Sequence, residues 1–229
     1  MGRYLESVTD LPGASLGEKI AYELRLEIIK GTIKNGETLS ENQIASKFGT
    51  SRSPVRESLK ILQHEGLIRL ERMGAVVQGL TPKGMSELYD VRILIENFAI
   101  KKLLADDCET TVQKLSVTID KMEMAAKHGN YMEFAYYDLQ FHETIIIDTG
   151  HERILHLWNS ICQIIYAAML VATEKRFSSN AHEIEPLLNQ HRAIVQYLSS
   201  KDSQQINKIL NEHFEDMIDS VGKSISKGQ

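Results

Sequence analysis

The sequence predicts a mainly α-helical protein, built from an N-terminal winged helix-turn-helix domain and a C-terminal all-α antiparallel helical bundle. Three features lead there. Residues 40–79, SENQIASKFGTSRSPVRESLKILQHEGLIRLERMGAVVQG, read in order as a helix, a tight turn, a second helix rich in positive charge and a small hairpin. Beyond Thr81-Pro82 every convincing apolar pattern has the helical period, and none alternates as a strand would. The chain is 229 residues long and 42% hydrophobic, which suits two modest cores better than one.

Residues 1–14 read as a flexible tail. Ser15–Lys30 forms an amphipathic helix with Leu16, Ile20, Leu24 and Ile28 at four-residue spacing. Ser15 and Glu18 make its capping box and Gly31 ends it. Residues 31–38, with two glycines, are a turn. Ser40 and Gln43 cap the next, short helix, Ile44, Ala45 and Phe48 supply its apolar face, and Gly49 stops it. The following helix begins near Ser51–Pro54, where serine caps and proline is tolerated because the first-turn N–H groups are unbonded anyway. It ends at Gly66. Leu67–Glu71 and Ala75–Gly79, joined around Arg72-Met73-Gly74, read as the strands of a wing. The domain boundary falls at Thr81, giving domains 15–80 and 81–229. Helices are expected over roughly 82–104, 109–128, 130–148, 151–177, 183–199 and 202–222. Asp106-Asp107, Gly129-Asn130, Thr149-Gly150, Ser178–Asn180 and Ser199-Ser200 punctuate them.

Charge placement suggests what the first domain does. Arg52, Arg56 and Lys60 recur every four residues, opposite Val55, Leu59 and Leu62. A helix with one packed and one basic side suits a major groove, where arginine reaches guanine edges bidentately. A solvated basic face on an ordinary helix is the alternative, and only the whole ordered assembly argues against it. The net charge of −5 divides into +1 over residues 1–80 and −6 over residues 81–229, and residues 46–60 alone carry +3. Phosphate attraction follows the local excess. The N-terminus lacks an apolar signal region, no apolar run approaches the length needed to span a bilayer, and Cys108 and Cys162 read as reduced core residues. These features point to a cytoplasmic protein without a membrane partner.

The second domain carries a set of polar residues at inward-facing positions. Asp138 and His142 lie four apart in YYDLQFHETI, His191 sits among Leu187, Ile194 and Leu198, and His213 among Ile209, Leu210 and Met217. One carboxylate and three imidazoles from three helices can meet in a core and bind a divalent transition metal with positions left open. A surface Asp–His pair and hydrogen-bonded core histidines are the alternative. His64, His128, His151, His156 and His182 read as structural or solvated. Arg92 can anchor a ligand carboxylate or merely pair with Glu96 one turn on.

Residues 16–79 resemble the winged-helix domain of GntR-superfamily bacterial transcription regulators, and LSENQIASKFGTSRSPVRESLKILQHEGLI follows that family's signature almost position by position. The resemblance implies that Arg52, Ser53, Pro54, Arg56 and Gly74 touch double-stranded DNA. Asn42 stands where the family often has arginine; it can still bond a base or phosphate. Residues 82–222 are similar to the helical ligand-sensing FCD domain of the FadR subfamily. That likeness implies that Asp138, His142, His191 and His213 hold zinc, nickel or manganese, and that Arg92 lies in the sensor's first helix. It also implies a small carboxylate effector, a homodimer and a pseudo-palindromic operator. His151 departs from the family's usual Asn after Gly150. The expectation is a metabolite-responsive transcription regulator, probed against two rivals. One is a metalloenzyme acting on a small organic acid with an appended DNA-binding domain, and the other is a purely structural metal.

Overall fold

The computed structural model describes residues 14–72, 74–179 and 183–225. The tail expected over residues 1–14 lies outside them but for Ala14, as do Met73, Asn180 and His182. The described residues divide into two compact units, one reaching to Gly84 and taking in residues 223–225, the other Met85–Gly222.

In the first unit α1 (Leu16–Ile29), β1 (Thr38–Leu39), α2 (Glu41–Lys47), α3 (Arg52–His64), β2 (Ile68–Glu71) and β3 (Gly74–Val77) follow in order. Ser15 and Ser40 each close a full capping box, with Glu18 and Gln43 respectively. α1 packs on α3, burying Ile20, Leu24, Ile28, Val55, Leu59 and Leu62. Truncating either leucine of α3 to alanine costs about 2–5 kcal/mol. Gly17 permits the close approach: a Cβ there would meet the Glu57 carboxyl carbon at 2.4 Å, and Glu57 Oε1 instead accepts the Ser15 hydroxyl at 2.7 Å. A buried ion pair, Arg25 to Glu65, ties α1 to the end of α3 through two N–H···O contacts.

Five local readings need correction. β1, read as the end of a turn, pairs antiparallel with β3, so the wing is a three-stranded sheet of order β1-β3-β2. Two residues are too short a run to show alternation. Gly74 is the first residue of β3, opposite Glu71, rather than part of the turn. Ser51 precedes α3 without a side-chain capping bond. Leu16 is 47% exposed, and of the three apolar residues assigned to α2 only Ile44 is buried, because a seven-residue helix turns only one narrow face inward.

The second unit holds α4 (Pro82–Ala105), α5 (Glu109–Lys127), α6 (Tyr131–Ile147), α7 (Glu152–Ser179), α8 (Ile184–Ser199) and α9 (Ser203–Ile225). α4 starts, and α9 finishes, beyond its limits. Thr81 Oγ1 accepts the Gly84 N–H at 3.0 Å and so caps α4. α5 packs on α6 and α8, and α6 on α7. By length and composition alone α7 could cross a membrane, so the expectation that no apolar run approaches that length does not hold. More than half of that stretch is buried within the unit, as befits the central helix of a bundle. His151 caps α7 where an amide is usual: its Nδ1 accepts the Ile154 N–H at 3.2 Å, and its ring meets Phe98 edge-on.

Candidate DNA interface and metal centre

The basic face of α3 is open to solvent. Arg52, Ser53, Arg56 and Lys60 are exposed and Pro54 is half-buried, while Val55, Ser58, Leu59 and Leu62 are buried on the other side. Ser58 hides its hydroxyl by donating to the Val55 carbonyl at 2.7 Å. Asn42 is exposed in the first turn of α2. Glu41, beside it, accepts from Arg56 Nε with both oxygens at 2.9 Å. That pair fixes the direction of Arg56 across the helix-turn-helix without hiding it, since 60% of its side chain remains exposed. Gly74 holds φ at +147°, and a Cβ there would lie 2.5 Å from the Leu39 carbonyl oxygen, so only glycine fits where β3 begins beside β1.

In the helical unit Asp138, His142, His191 and His213 come together, all buried. The ligand atoms of the three histidines lie within 4.8 Å of one another. His142 Nε2 and His213 Nε2 are 3.2 Å apart, and Asp138 Oδ1 is 2.9 Å from His191 Nε2 and 3.5 Å from His142 Nε2. Two nitrogens bound tetrahedrally at zinc distances are about 3.4 Å apart, so the spacing fits. Each ring's other nitrogen faces an oxygen. His142 Nδ1 meets Glu96 Oε2 at 2.6 Å, His191 Nδ1 the Leu187 carbonyl at 2.8 Å, and His213 Nδ1 the Gln190 amide oxygen at 3.0 Å. With Nδ1 donating in every ring, the three Nε2 lone pairs and the Asp138 carboxylate would face one another, a donor set that could hold a cation. The donor set, three imidazoles and one carboxylate, suits zinc or nickel and tolerates manganese.

The electrostatics favour coordination at His213 and Asp138, while His142 leans toward its charged form. Burial pushes the His213 pKa well below its ordinary value, reinforced by His191 and His142, so the ring stays neutral and able to coordinate. Burial also opposes charge on His142, but Glu96 outweighs it and holds the pKa above the usual histidine range. Asp138 pays for burial too, yet His191 and His142 keep its carboxyl well below the usual range.

Arg92 has both roles open to it in sequence. It is fully buried and its Nε donates to Glu96 Oε1 at 2.6 Å, so the ion pair exists, but inside the bundle beside the imidazole cluster rather than on the surface. Its Nη2 and the nearby Tyr89 hydroxyl make no hydrogen bond of normal geometry among the described residues. Tyr89, Arg92 and Glu96 follow at i, i+3 and i+7 on the buried face of α4. Glu96 and Gln190 face two of the imidazoles; sequence reasoning named Glu96 only as a partner for Arg92 and did not single out Gln190. The signal was an acid one turn from Arg92 on an apolar face, and an amide next to His191. Among the other histidines, His64, His128 and His156 are exposed.

Comparison with known proteins completes the picture. Residues 16–77 match the bacterial regulatory proteins of the gntR family, and residues 87–216 match the FCD domain. The chain is 41% identical over 211 residues to the gluconate operon transcriptional repressor of Bacillus subtilis (strain 168), covering 92% of this chain and 87% of that protein. It is 39% identical over 207 residues to the gluconate operon transcriptional repressor of Bacillus licheniformis, covering 90% and 85%. Among solved structures, E. coli McbR/YncC superposes with a TM-score of 0.68 at 18% identity, over 92% of this chain and 98% of that one, a likeness of fold.

Proposed function

The chain belongs to the gntR family of bacterial regulatory proteins, with an FCD domain, and from that premise we propose that it is a repressor released from DNA by a sugar acid of the gluconate type. It is a DNA-binding transcription regulator, and both matched domains and its relatives set the enzymatic alternative aside. In this reading Arg52 and Arg56 read base edges, Ser53, Pro54 and Asn42 fix the helix against phosphates, and Gly74 brings the wing to the groove. Two copies bind a pseudo-palindrome. Val91, Leu94 and Phe98 support that pairing: they form an exposed apolar stripe on α4, Leu94 being 72% exposed, and a second copy would cover it.

The observation that carries the sensing half is the convergence of Asp138, His142, His191 and His213 with every imidazole turned by its own oxygen partner. These four residues would hold a divalent metal, which when bound supplies a Lewis-acidic attachment for a carboxylate and its neighbouring hydroxyl. Arg92 Nη2 and the Tyr89 hydroxyl have unmet hydrogen-bonding capacity that an acid's oxygens would satisfy; leaving such groups unmet costs about 1–3 kcal/mol each. The acid relaxes the protein's hold on DNA only to the extent that it binds the two arrangements of the dimer differently. Elemental analysis tests the assignment. The purified chain is expected to carry a stoichiometric divalent metal that His191→Ala and His213→Ala each lose. Full metal content in both variants contradicts it.

A further inference from the structure

A narrow cavity leads away from the metal-ligand cluster, and its walls are chemically divided. Asp138 closes its inner end, Met169 and Met217 line its sides, and Thr173, Arg176 and Ser220 stand further along. The residues from α7, Met169, Thr173 and Arg176, lie at i, i+4 and i+7, and so share one face of that helix. Those from α9, Met217 and Ser220, continue the face that carries His213. From His213 to Ser220 is seven residues, an axial rise of about 10 Å. The inner end reaches Arg92 as well, because Met169 Sδ lies 3.5 Å from Arg92 Nη1.

The outer end is organised around Arg176, which is only 7% exposed. Its Nε donates to Ser220 Oγ at 2.8 Å and its Nη2 to Asp216 Oδ2 at 2.6 Å. The guanidinium is thus fixed beside the cavity, with its charge already answered by Asp216. Hydroxyls and a fixed N–H array at one end, with carboxylate and imidazole at the other, are recognition elements for an extended chain of alcohol groups. A cavity of about 20 Å³ holds little more than a water, so a longer occupant must displace its walls. Met169 and Met217 are the unbranched, adaptable side chains that can yield.

We propose that this cavity seats the hydroxyl-bearing chain of a linear polyhydroxy acid, and that Arg176, with Thr173 and Ser220, selects its far end. The inference rests on the reading above, that the acid end binds at the metal. It adds a length and a terminus: the effector spans about two helical turns and ends in a neutral alcohol. Asp216 sets that neutrality. It does so from behind the guanidinium rather than from the cavity wall: Asp216 already answers the charge of Arg176, so a terminal phosphate would find no free counter-charge, whereas an alcohol needs only to accept from the guanidinium.

Titration calorimetry on the metal-loaded full chain separates the two layers. The probes are D-gluconate, its 6-phosphate, and glycolate, which has the acid and adjacent hydroxyl but no chain. The wild type is expected to bind gluconate at least tenfold tighter than glycolate, and tighter than the 6-phosphate. Arg176→Met should weaken gluconate tenfold or more and leave glycolate within twofold. Thr173→Val, which keeps the shape of the side chain, should weaken gluconate about fivefold and serves where the arginine variant fails to fold. Asp216→Asn should narrow the gap between gluconate and its 6-phosphate. Unchanged gluconate affinity in the Thr173 variant and in a folded Arg176 variant overturns the proposal. So does an equal loss for glycolate, since that marks general damage to the bundle. Failure of the wild type to bind either gluconate or glycolate brings down the metal-site reading itself.

Discussion

Replacing Glu96 with alanine separates what the buried polar network does for stability from what it does for metal binding. Glu96 is fully buried and serves two partners, accepting from Arg92 Nε with one oxygen and facing His142 Nδ1 with the other, both at 2.6 Å. Its removal leaves the Arg92 guanidinium buried without a counter-charge, a loss of about 3–5 kcal/mol. For a chain of this size that lowers the unfolding midpoint by about 6–20 °C. The double variant Arg92→Met, Glu96→Leu removes both charges, and stability should return to within about 1–2 kcal/mol of wild type, since apolar replacement of a buried pair is often neutral. Metal affinity should not return, because His142 still lacks the carboxylate that orients it, a deficit of about 10–100-fold. Trp158, the sole tryptophan and fully buried in α7, reports unfolding of the helical unit by fluorescence in urea. Metal affinity follows from competition with a chelating dye. A Glu96→Ala midpoint indistinguishable from wild type, or a double variant no more stable than the single, refutes the reasoning.

Arg52→Ala and Arg56→Ala should each weaken operator binding by about 1–3 kcal/mol in fluorescence anisotropy, with dimerisation by sedimentation unchanged; undiminished affinity removes them from the recognition face. Gly74→Ala forces a Cβ against the Leu39 carbonyl in a backbone region that favours glycine, and should cost about 1–3 kcal/mol in urea unfolding and weaken DNA binding. A change smaller than about 0.5 kcal/mol would show that the sheet accommodates it. The pKa of His213 is held low in the folded protein by burial, so below the unfolded value near 6.5 the unfolded chain binds a proton that the native one does not. Stability of the metal-free chain therefore rises with pH across that window. His213→Leu should reduce the slope there by up to about 1.4 kcal/mol per pH unit. An identical slope in the variant argues that this histidine titrates normally.

The helices and their ends were largely legible in the sequence because capping boxes, glycines and apolar spacing act within a few residues. Ser15 with Glu18, and Ser40 with Gln43, are of that kind. β1 was not legible, since a two-residue strand exists only through its partner Ala75–Val76. The meeting of Asp138, His142, His191 and His213 was suggested by their inward positions. What spacing along one helix does not reveal is the tertiary layer: Glu96 turning a ring 46 positions away, Gln190 turning one 23 away, and Arg176 held by two residues of α9. α7 shows the converse, for its composition suits a membrane and only its neighbours reveal a core helix. His151 shows a third limit: its departure from the usual amide was visible, but its capping role needed the geometry of Ile154.

The most direct test of a metal-dependent sensor coupled to a DNA-reading head is operator affinity against rising gluconate, for metal-loaded and metal-stripped full-length protein side by side. The metal-loaded protein should release DNA with a shift of about 5–150-fold, the usual range of coupling between two sites, and the stripped protein should hold its affinity. Equal release with and without metal, or no release from the loaded protein, would contradict the account.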